Sequence, residues 1–340
     1  MKRKSLRVLV LMHDSLVPPD DVSGLNEAEM LEIRTEYDVV RAIAALGHEV
    51  HKLGVSDELA PLRQAIQDGR PDVVFNLLEE FQGQAVHDHN VVGFLELMRA
   101  PYSGCNPRGL VLARDKALSK KILHYHRIRI PAFAVVPVGR RLRRPRSLDF
   151  PLIVKSLIEE ASLGISRASV VHNDEKLAER VRFIHDKLGT DCIVEQYIPG
   201  RELYVGVIGN RRLTVLPPWE LIMENPPDSG PFIATRKVKW DPDYQAKREV
   251  FIDRAQDLSA ELLRHADNVS RRIYRLLDLT GYARIDFRLN PAGELYFLEA
   301  NPNPDIARDA EFASSADAAG IPYEDLLDRL LRLGLRRGAH

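Results

Sequence analysis

Two apolar segments near the C-terminus contain side chains that could bind a metal and support charge transfer. Arg284 and Asp286 lie two residues apart in one segment, and Glu299 and Asn301 lie two residues apart in the next. Side chains two apart on a strand share a face, and a tight turn predicted at 290–293 makes the segments antiparallel neighbours. If the two faces coincide, two carboxylates and an amide oxygen meet beside a guanidinium. These oxygens suit Mg²⁺, and the guanidinium suits a transferring phosphoryl group. The alternative is a hairpin with surface charges.

Other charged residues at strand ends could hold a nucleotide. Lys155 ends the apolar strand predicted at 151–155, where a lysine can reach a phosphate as a point charge. Glu195 lies in a later predicted strand and Glu202 begins another, so the two could contact an adenine edge and a ribose hydroxyl. The loop of small residues at 159–166 could offer backbone N–H groups to phosphates. Each of these features alone is weak evidence for a nucleotide site, because an exposed lysine at a strand end or an ordinary polar loop has the same sequence pattern.

The elements that must position these residues form three successive regions. Short apolar runs alternate with helical spacings over residues 1–110, which predicts a parallel sheet with helices on both faces. Residues 111–190 have the pattern of a small α+β region. Residues 191–340 contain several predicted strands, a long helix predicted between about 253 and 277, and the C-terminal hairpin. We therefore expect boundaries near residues 110 and 190.

Composition narrows the class of protein. The chain has 340 residues, of which 45% are hydrophobic and 29% charged, so disorder over most of its length is excluded. Its net charge of -1 gives no overall field for nucleic acid or an anionic membrane. No apolar run approaches the roughly 20 residues of a membrane span, and a secretory signal is not expected. The two cysteines, Cys105 and Cys192, are far apart, which predicts packing roles and a reducing, cytoplasmic location.

Taken in chain order, these segments resemble the ATP-grasp superfamily, and most closely its D-alanine–D-alanine ligase family. The matching stretches are Leu95–Met98, Pro101–Gly104, Asp115–Lys116, Pro151–Lys155, Ser162–Gly164, Val194–Glu195, Gly200–Glu202 and Arg284–Pro302. Each is short, but their order and spacing argue against an accidental resemblance. The resemblance implies an α/β and α+β ATP-grasp fold with three lobes: an N-terminal parallel-sheet domain at 1–110, a central subdomain at 111–190 and a C-terminal subdomain at 191–340.

The resemblance implies that ATP lies between the central and C-terminal lobes. Lys116 and Lys155 would contact its phosphates. Glu195 and Ile198 would contact the adenine, and Glu202 would contact the ribose.

The resemblance also implies a metal centre and catalytic residues. Two Mg²⁺ ions, with Mn²⁺ as a possible substitute, would be held by Asp286, Glu299 and Asn301. Arg284 would support the transition state, together with Ser162 in the phosphate loop and Lys239 in a lid segment.

The implied reaction is the phosphorylation of a carboxylate, followed by attack of an amine. An amide or peptide bond forms, and ADP and phosphate are released. The partners would be a small-molecule carboxylate and amine, with no nucleic acid or membrane, and the resemblance allows a homodimer. An ATP-grasp kinase is one alternative. Another is a regulatory protein that binds ATP without turnover, although such a protein has no need of Arg284 or a second metal ligand. A ligase that acts on the end of another protein also stays open.

The residues expected around the first substrate depart from the family pattern. The position of the family's loop serine is taken by Ala161, with Ser162 beside it, and Trp240 stands where the lid tyrosine would be. The family's N-terminal glutamate has four nearby candidates, namely Glu27, Glu29, Glu32 and Glu36. His87 and His89 stand at part of the first subsite, where they would either line the cleft or bind a metal.

The second subsite departs more strongly. In the family, small and hydroxylic residues after the Asn-x-x-Pro turn receive the carboxylate of the incoming amino acid. Here the equivalent run contains Asp305 and Glu311. A like-charge pair at about 4 Å costs roughly 4 kcal/mol at an effective dielectric of about 20, unless Arg308 compensates. We hypothesise that the nucleophile is an amine without a nearby carboxylate, such as a polyamine or an amino sugar.

Overall fold

The structure is a computed structural model that describes residues 5–140, 142–158, 166–225, 233, 235, 238 and 241–337, without the side chains of Arg167 and Pro242. Three β-sheets form within these residues. No helix in the described part of the chain is long and apolar enough to cross a membrane.

The first sheet is parallel, as predicted. It has the order β2–β1–β3, formed by β1 at Arg7–His13, β2 at Glu49–Val55 and β3 at Val73–Asn76. The central strand β1 is buried from Val8 to Met12, which explains its uninterrupted apolar run. The helices of this region are α1 at Glu27–Glu32, α2 at Arg34–Ala45, α3 at Ala60–Gly69, α4 at Asp88–Leu97 and α5 at Pro107–Arg114.

The second sheet is antiparallel and has the order β4–β7–β5–β6. Its strands are β4 at Phe133–Val136, β5 at Leu152–Ser156, β6 at Val170–Val171 and β7 at Cys192–Gln196. The helices of this region are α6 at Lys116–Tyr125 and α7 at Asp174–Leu188. Because β7 pairs with β4 and β5, the sheet extends beyond residue 190. The domain limits at 110 and 190 stay a prediction.

The third sheet is antiparallel and has the order β11–β10–β8–β12–β13, with β9 beside β8. Its strands are β8 at Arg201–Ile208, β9 at Thr214–Val215, β10 at Trp219–Met223, β11 at Val250–Arg254, β12 at Tyr282–Leu289 and β13 at Leu295–Pro302. The remaining helices are α8 at Pro242–Arg248, α9 at Ala260–Leu276, α10 at Glu311–Ala318 and α11 at Tyr323–Arg337. The long helix begins later than the predicted residue 253, because residues 250–254 pair with β10 and Ser259 caps α9.

The first and third sheets share one hydrophobic core, to which helices also contribute, whereas the second sheet has a hydrophobic core of its own. One buried cluster joins Leu9 and Leu11 of β1 to Phe287 of β12. Gly281 marks the closest approach of the two regions: it has a positive φ of 73°, and an added Cβ would lie 2.3 Å from the carbonyl oxygen of Gly104. The second sheet packs around its own core, and a cavity lies between this sheet and the third sheet.

Candidate active site

The C-terminal hairpin brings together the four polar side chains that its sequence predicts on one face. Strands β12 and β13 are antiparallel, with Arg284 opposite Asn301 and Asp286 opposite Glu299. The N–H of Gly293 donates a 3.0 Å hydrogen bond to the carbonyl oxygen of Asn290 and closes the turn. The predicted hairpin and its shared face are therefore confirmed.

Arg284 is held by carboxylates on two sides. Its Nε and Nη2 donate to the two oxygens of Asp286 at 2.8 and 3.0 Å, and its Nη1 donates to Oε1 of Glu311. Burial opposes ionisation of Arg284, but the two carboxylates outweigh it and raise its pKa well above the usual value. Asn301 also donates to Asp286, at 3.0 Å. Asp286 is thus held by a guanidinium and an amide.

Glu195 of the second sheet bridges two lysines, Lys155 of the same sheet and Lys120 of α6. Its Oε1 lies 2.9 Å from Nζ of Lys120, and its Oε2 lies 3.1 Å from Nζ of Lys155. Burial alone would raise the pKa of Glu195, but the two ammonium groups lower it to about 2. Burial likewise opposes the charge of Lys155, yet the carboxylates of Glu195 and Glu299 raise its pKa above the usual value. Lys155 is therefore a charged group suited to a phosphate.

Lys120 is a site residue that the sequence analysis missed. Its side chain is fully buried, and burial lowers its pKa despite the attraction of Glu195. Its Nζ donates to the carbonyl oxygen of Leu298, where the pairing of β12 and β13 shifts register. Lys120 follows Lys116 by one helical turn, and this i, i+4 spacing on α6 is the signal that could have found it.

Arg288 is a second missed residue. It lies opposite Glu202 across β12 and β8, and its Nη2 donates to Oε2 of Glu202 at 2.7 Å. The hydroxyl of Tyr204 donates to the other oxygen of Glu202 at 3.1 Å. Arg288 and Tyr204 therefore hold Glu202 from two directions. The sequence around Glu202, which predicts only a turn and the start of a strand, did not indicate either partner.

A cavity of about 60 Å³ lies between the second and third sheets. Six of the predicted residues line it, namely Lys155, Glu195, Ile198, Glu202, Asp286 and Glu299. Apolar side chains, among them Ile153 and Leu298, line it as well. Lys116 lies nearby at the start of α6, with its Nζ 3.9 Å from Oε2 of Glu299. A pocket with apolar walls and a few charged groups is typical of small-molecule and nucleotide sites.

A wider cleft of about 680 Å³ lies between the N-terminal region and the third sheet. Arg34 lines it from α2, and Arg284, Asn301 and Glu311 line it from the third sheet and the segment that follows. Glu299 lines both this cleft and the smaller cavity. A group transferred from one space to the other would therefore pass beside Glu299.

Ser162 and Lys239 lie outside the described residues, as do Ala161 and Trp240.

His87 and His89 both hydrogen-bond to backbone carbonyl oxygens, at 3.2 and 2.6 Å. Among the described residues, no group of three or more histidine, cysteine, aspartate or glutamate side chains forms a metal cluster, so these two histidines gain no support as metal ligands. Cys105 and Cys192 are free and buried, in agreement with packing roles.

Comparison with known proteins identifies the family. A family model described as D-ala D-ala ligase C-terminus matches residues 138–332. The D-alanine–D-alanine ligase of Nitratidesulfovibrio vulgaris is 32% identical over 297 residues, which cover 87% of this chain and 91% of that relative. An uncharacterized protein of Sinorhizobium fredii is 30% identical over 309 residues, which cover 89% of this chain and 88% of that protein.

A solved structure shows the same fold. The D-alanine–D-alanine ligase of Bacillus anthracis, complexed with ATP, matches with a TM-score of 0.74 and 23% identity, covering 98% of this chain and 99% of that one. The fold is therefore the ATP-grasp fold.

The chain belongs to the D-alanine–D-alanine ligase family, whose members are ADP-forming ATP-grasp ligases that make C–N bonds. Both the ATP-grasp fold and the family resemblance are thereby confirmed. Membership supports an ATP-dependent carboxylate–amine ligase that acts on small molecules with ATP and Mg²⁺. It does not favour a kinase or a regulatory protein without turnover.

Proposed function

We propose that this protein phosphorylates a small-molecule carboxylate with ATP and then joins the acyl group to an amine. The observation that carries the proposal is the position of Glu299. It lies opposite Asp286 on the hairpin and lines both the smaller cavity and the wider cleft. The smaller cavity has charged and apolar groups suited to a nucleotide, and the wider cleft would hold the two substrates.

The nucleotide would occupy the smaller cavity. The base would lie against the apolar walls near Ile198 and beside Glu195, and the ribose would reach Glu202. The phosphates would extend toward Lys155 and Lys116. The raised pKa of Lys155 supports this arrangement, because a lysine that stays charged can contact a phosphate.

The hairpin fits a magnesium centre. Its donor set consists of two carboxylates and an amide on facing strand positions, namely Asp286, Glu299 and Asn301. Mg²⁺ needs few protein ligands, because it keeps several waters and takes the rest of its oxygens from phosphates. We therefore assign two ions to this set. Bound Mg²⁺ would supply positive charge that neutralises the phosphate oxygens.

The reaction would proceed in two steps. A carboxylate oxygen of the acid attacks the γ-phosphorus, the bond to the ADP oxygen breaks, and an acyl phosphate forms. The amine nitrogen then attacks the acyl carbon, the phosphate leaves with its electron pair, and the amine gives up a proton as the amide forms. Arg284 lies beside Asp286 and would stabilise the negative charge that develops on the transferring group. Ser162 and Lys239 are proposed as further catalytic groups near the phosphates.

The Glu299→Gln variant tests the metal assignment. We expect ATP binding to persist and ADP release to fall by about 100-fold or more, because a charged metal ligand is lost. The matched control is Glu294→Gln, on the same hairpin, where the side chain is 37% exposed and pairs with Arg129. Turnover that survives in Glu299→Gln would contradict the assignment, whereas loss in both variants would indicate a damaged hairpin.

A further inference from the structure

A bulge in the C-terminal hairpin decides which of its residues face each other. Near the turn, Phe287 of β12 lies opposite Phe297 of β13, whereas farther along Asp286 lies opposite Glu299. Between these two pairs β13 has one residue more than β12, namely Leu298. If the first register continued, Asp286 would lie opposite Leu298. The bulge is therefore what brings the carboxylate of Glu299 opposite that of Asp286.

The bulge also sets the direction of the Glu299 side chain. Consecutive side chains of a regular strand point to opposite faces of the sheet, yet Leu298 and Glu299 both line the smaller cavity. The residues on either side of them, Phe297 and Ala300, are buried in the hydrophobic core. Bulges redirect side chains in this way next to active sites. The position of a proposed metal ligand thus depends on the backbone at Leu298.

Helix α6 and the loop that follows it hold the backbone of this bulge. The N–H of Phe297 donates a 2.9 Å hydrogen bond to the carbonyl oxygen of Arg129, and Nζ of Lys120 donates to the carbonyl oxygen of Leu298. The same Nζ lies 5.5 Å from the ring centroid of Phe297. Because the side chain of Lys120 is fully buried, water does not compete for this contact. Loss of the ammonium group would therefore leave the Leu298 carbonyl without this donor.

The same ammonium group connects the bulge to the opposite wall of the cavity. Nζ of Lys120 lies 2.9 Å from Oε1 of Glu195 on β7, the carboxylate proposed to contact the adenine. Glu195 and Leu298 both line the cavity, whereas Lys120 lies behind them with no exposed surface. Lys120 can therefore act on a bound nucleotide or metal only through the two groups that it holds.

We propose that Lys120 is a positioning residue of the magnesium centre. Its contact with the Leu298 carbonyl fixes the bulge that directs Glu299 to the metal, and its contact with Glu195 ties this bulge to the wall that receives the base. This inference rests on the proposed ligase function, because it uses the metal and nucleotide assignments made there. Removal of Lys120 should weaken metal binding, although Lys120 is not itself a ligand.

Nucleotide binding with and without Mg²⁺ measures the contribution of the metal without any turnover. The full-length protein is titrated calorimetrically with adenylyl imidodiphosphate, an ATP analogue that resists hydrolysis, in excess Mg²⁺ and in EDTA. We expect Mg²⁺ to strengthen binding to the natural protein about tenfold or more, and Lys120→Met to lose most of this gain. Loss of a nearby positive charge by itself would favour a cation, so a smaller gain reports the lost position of Glu299. An unchanged gain in Lys120→Met would overturn the proposal.

Two control variants separate positioning from general damage to the fold. Lys121→Met removes the same kind of side chain from an exposed position on α6 and should keep the full gain from Mg²⁺. Leu177→Ala opens a cavity in the core of the second sheet, away from the hairpin, and should also keep it despite a less stable fold. A loss of the gain in Leu177→Ala equal to that in Lys120→Met would assign the effect to stability and overturn the proposal.

A second pair of variants covers the case in which Lys120→Met does not fold. Lys120→Met combined with Glu195→Gln removes both charges of the buried pair, and the gain from Mg²⁺ should still be lost. Glu195→Gln alone should weaken binding of the analogue by the same factor in Mg²⁺ and in EDTA, because Lys120 keeps its contact with Leu298. The same gain in the double variant as in Glu195→Gln would refute the positioning role and leave the ligase function standing. A natural protein that binds the analogue with no gain from Mg²⁺ would instead refute the metal assignment, and the role of Lys120 would fall with it.

Discussion

Replacement of Glu36 by glutamine tests whether burial in the fold holds this carboxyl in its protonated form. Glu36 is 5% exposed, and burial raises its pKa from 4.5 to about 7, with a smaller push from Asp305. The folded state therefore favours the protonated form. Glu36 contributes stability that is fully present below pH 4.5 and is lost as the pH rises through 7.

The size of the effect follows from the pKa difference. The rise of the pKa from 4.5 to about 7 corresponds to about 3 kcal/mol of differential stability between the protonated and the charged form. Glutamine has the shape of the protonated carboxyl and no charge. Relative to the natural protein, Glu36→Gln should gain about 1 kcal/mol in free energy of unfolding at pH 5, about 2 at pH 6 and about 3 at pH 8.

Urea unfolding at pH 5, 6, 7 and 8 measures this difference. Glu32→Gln is the matched control, because it removes the same charge from an exposed residue at the end of α1, four residues before Glu36. Its stability should run parallel to that of the natural protein at every pH. In an Asp305→Asn background the gain from Glu36→Gln should shrink, since one cause of the raised pKa is gone. A difference that does not change with pH, or a loss of stability at pH 8, would refute the reasoning.

Two further substitutions test the framework of the site. Lys120→Met should lower the free energy of unfolding by about 3–5 kcal/mol, because Glu195 loses one of its two buried cations. The control, Lys121→Met on the exposed side of the helix, should change it little. Equal effects of the two variants in thermal unfolding would contradict the buried pair. Gly281→Ala should lower the free energy of unfolding by about 3 kcal/mol, because the added Cβ meets both a positive φ and a backbone overlap. Gly293→Ala, whose φ of 80° is similar but whose added Cβ meets open space, should lower it by about 1 kcal/mol. Similar losses in urea unfolding would show that the overlap does not matter.

The hairpin site could be predicted from sequence because every step depends on local rules. Arg284 and Asp286 share a face by the two-residue period of a strand, and the turn fixes which residues of β13 lie opposite. The structure confirms this register. By contrast, β11 was missed because four of its five residues, Phe251 to Arg254, are exposed and so show no buried period. Edge strands of this kind depend on a neighbour that only the folded chain supplies.

The rest of the site depends on contacts between distant segments. The full burial of Lys120 runs against the usual preference of lysine for solvent. It is stabilised by the carboxylate of Glu195, which lies 75 residues later in the chain, so the local sequence does not predict it. Spacing alone could not show that Glu36, and not one of the three glutamates before it, is the buried one. In the structure the other three belong to α1, whereas Glu36 shares the buried face of α2 with Val39 and Ile43.

The most direct test of the ligase assignment is to incubate the full-length protein with ATP, Mg²⁺ and a fractionated extract of small metabolites, and to follow nucleotides and new masses by mass spectrometry. We expect ADP, phosphate and a product whose mass equals an acid plus an amine minus water. AMP in place of ADP, or a phosphorylated product that persists without a new C–N bond, would contradict the proposed reaction.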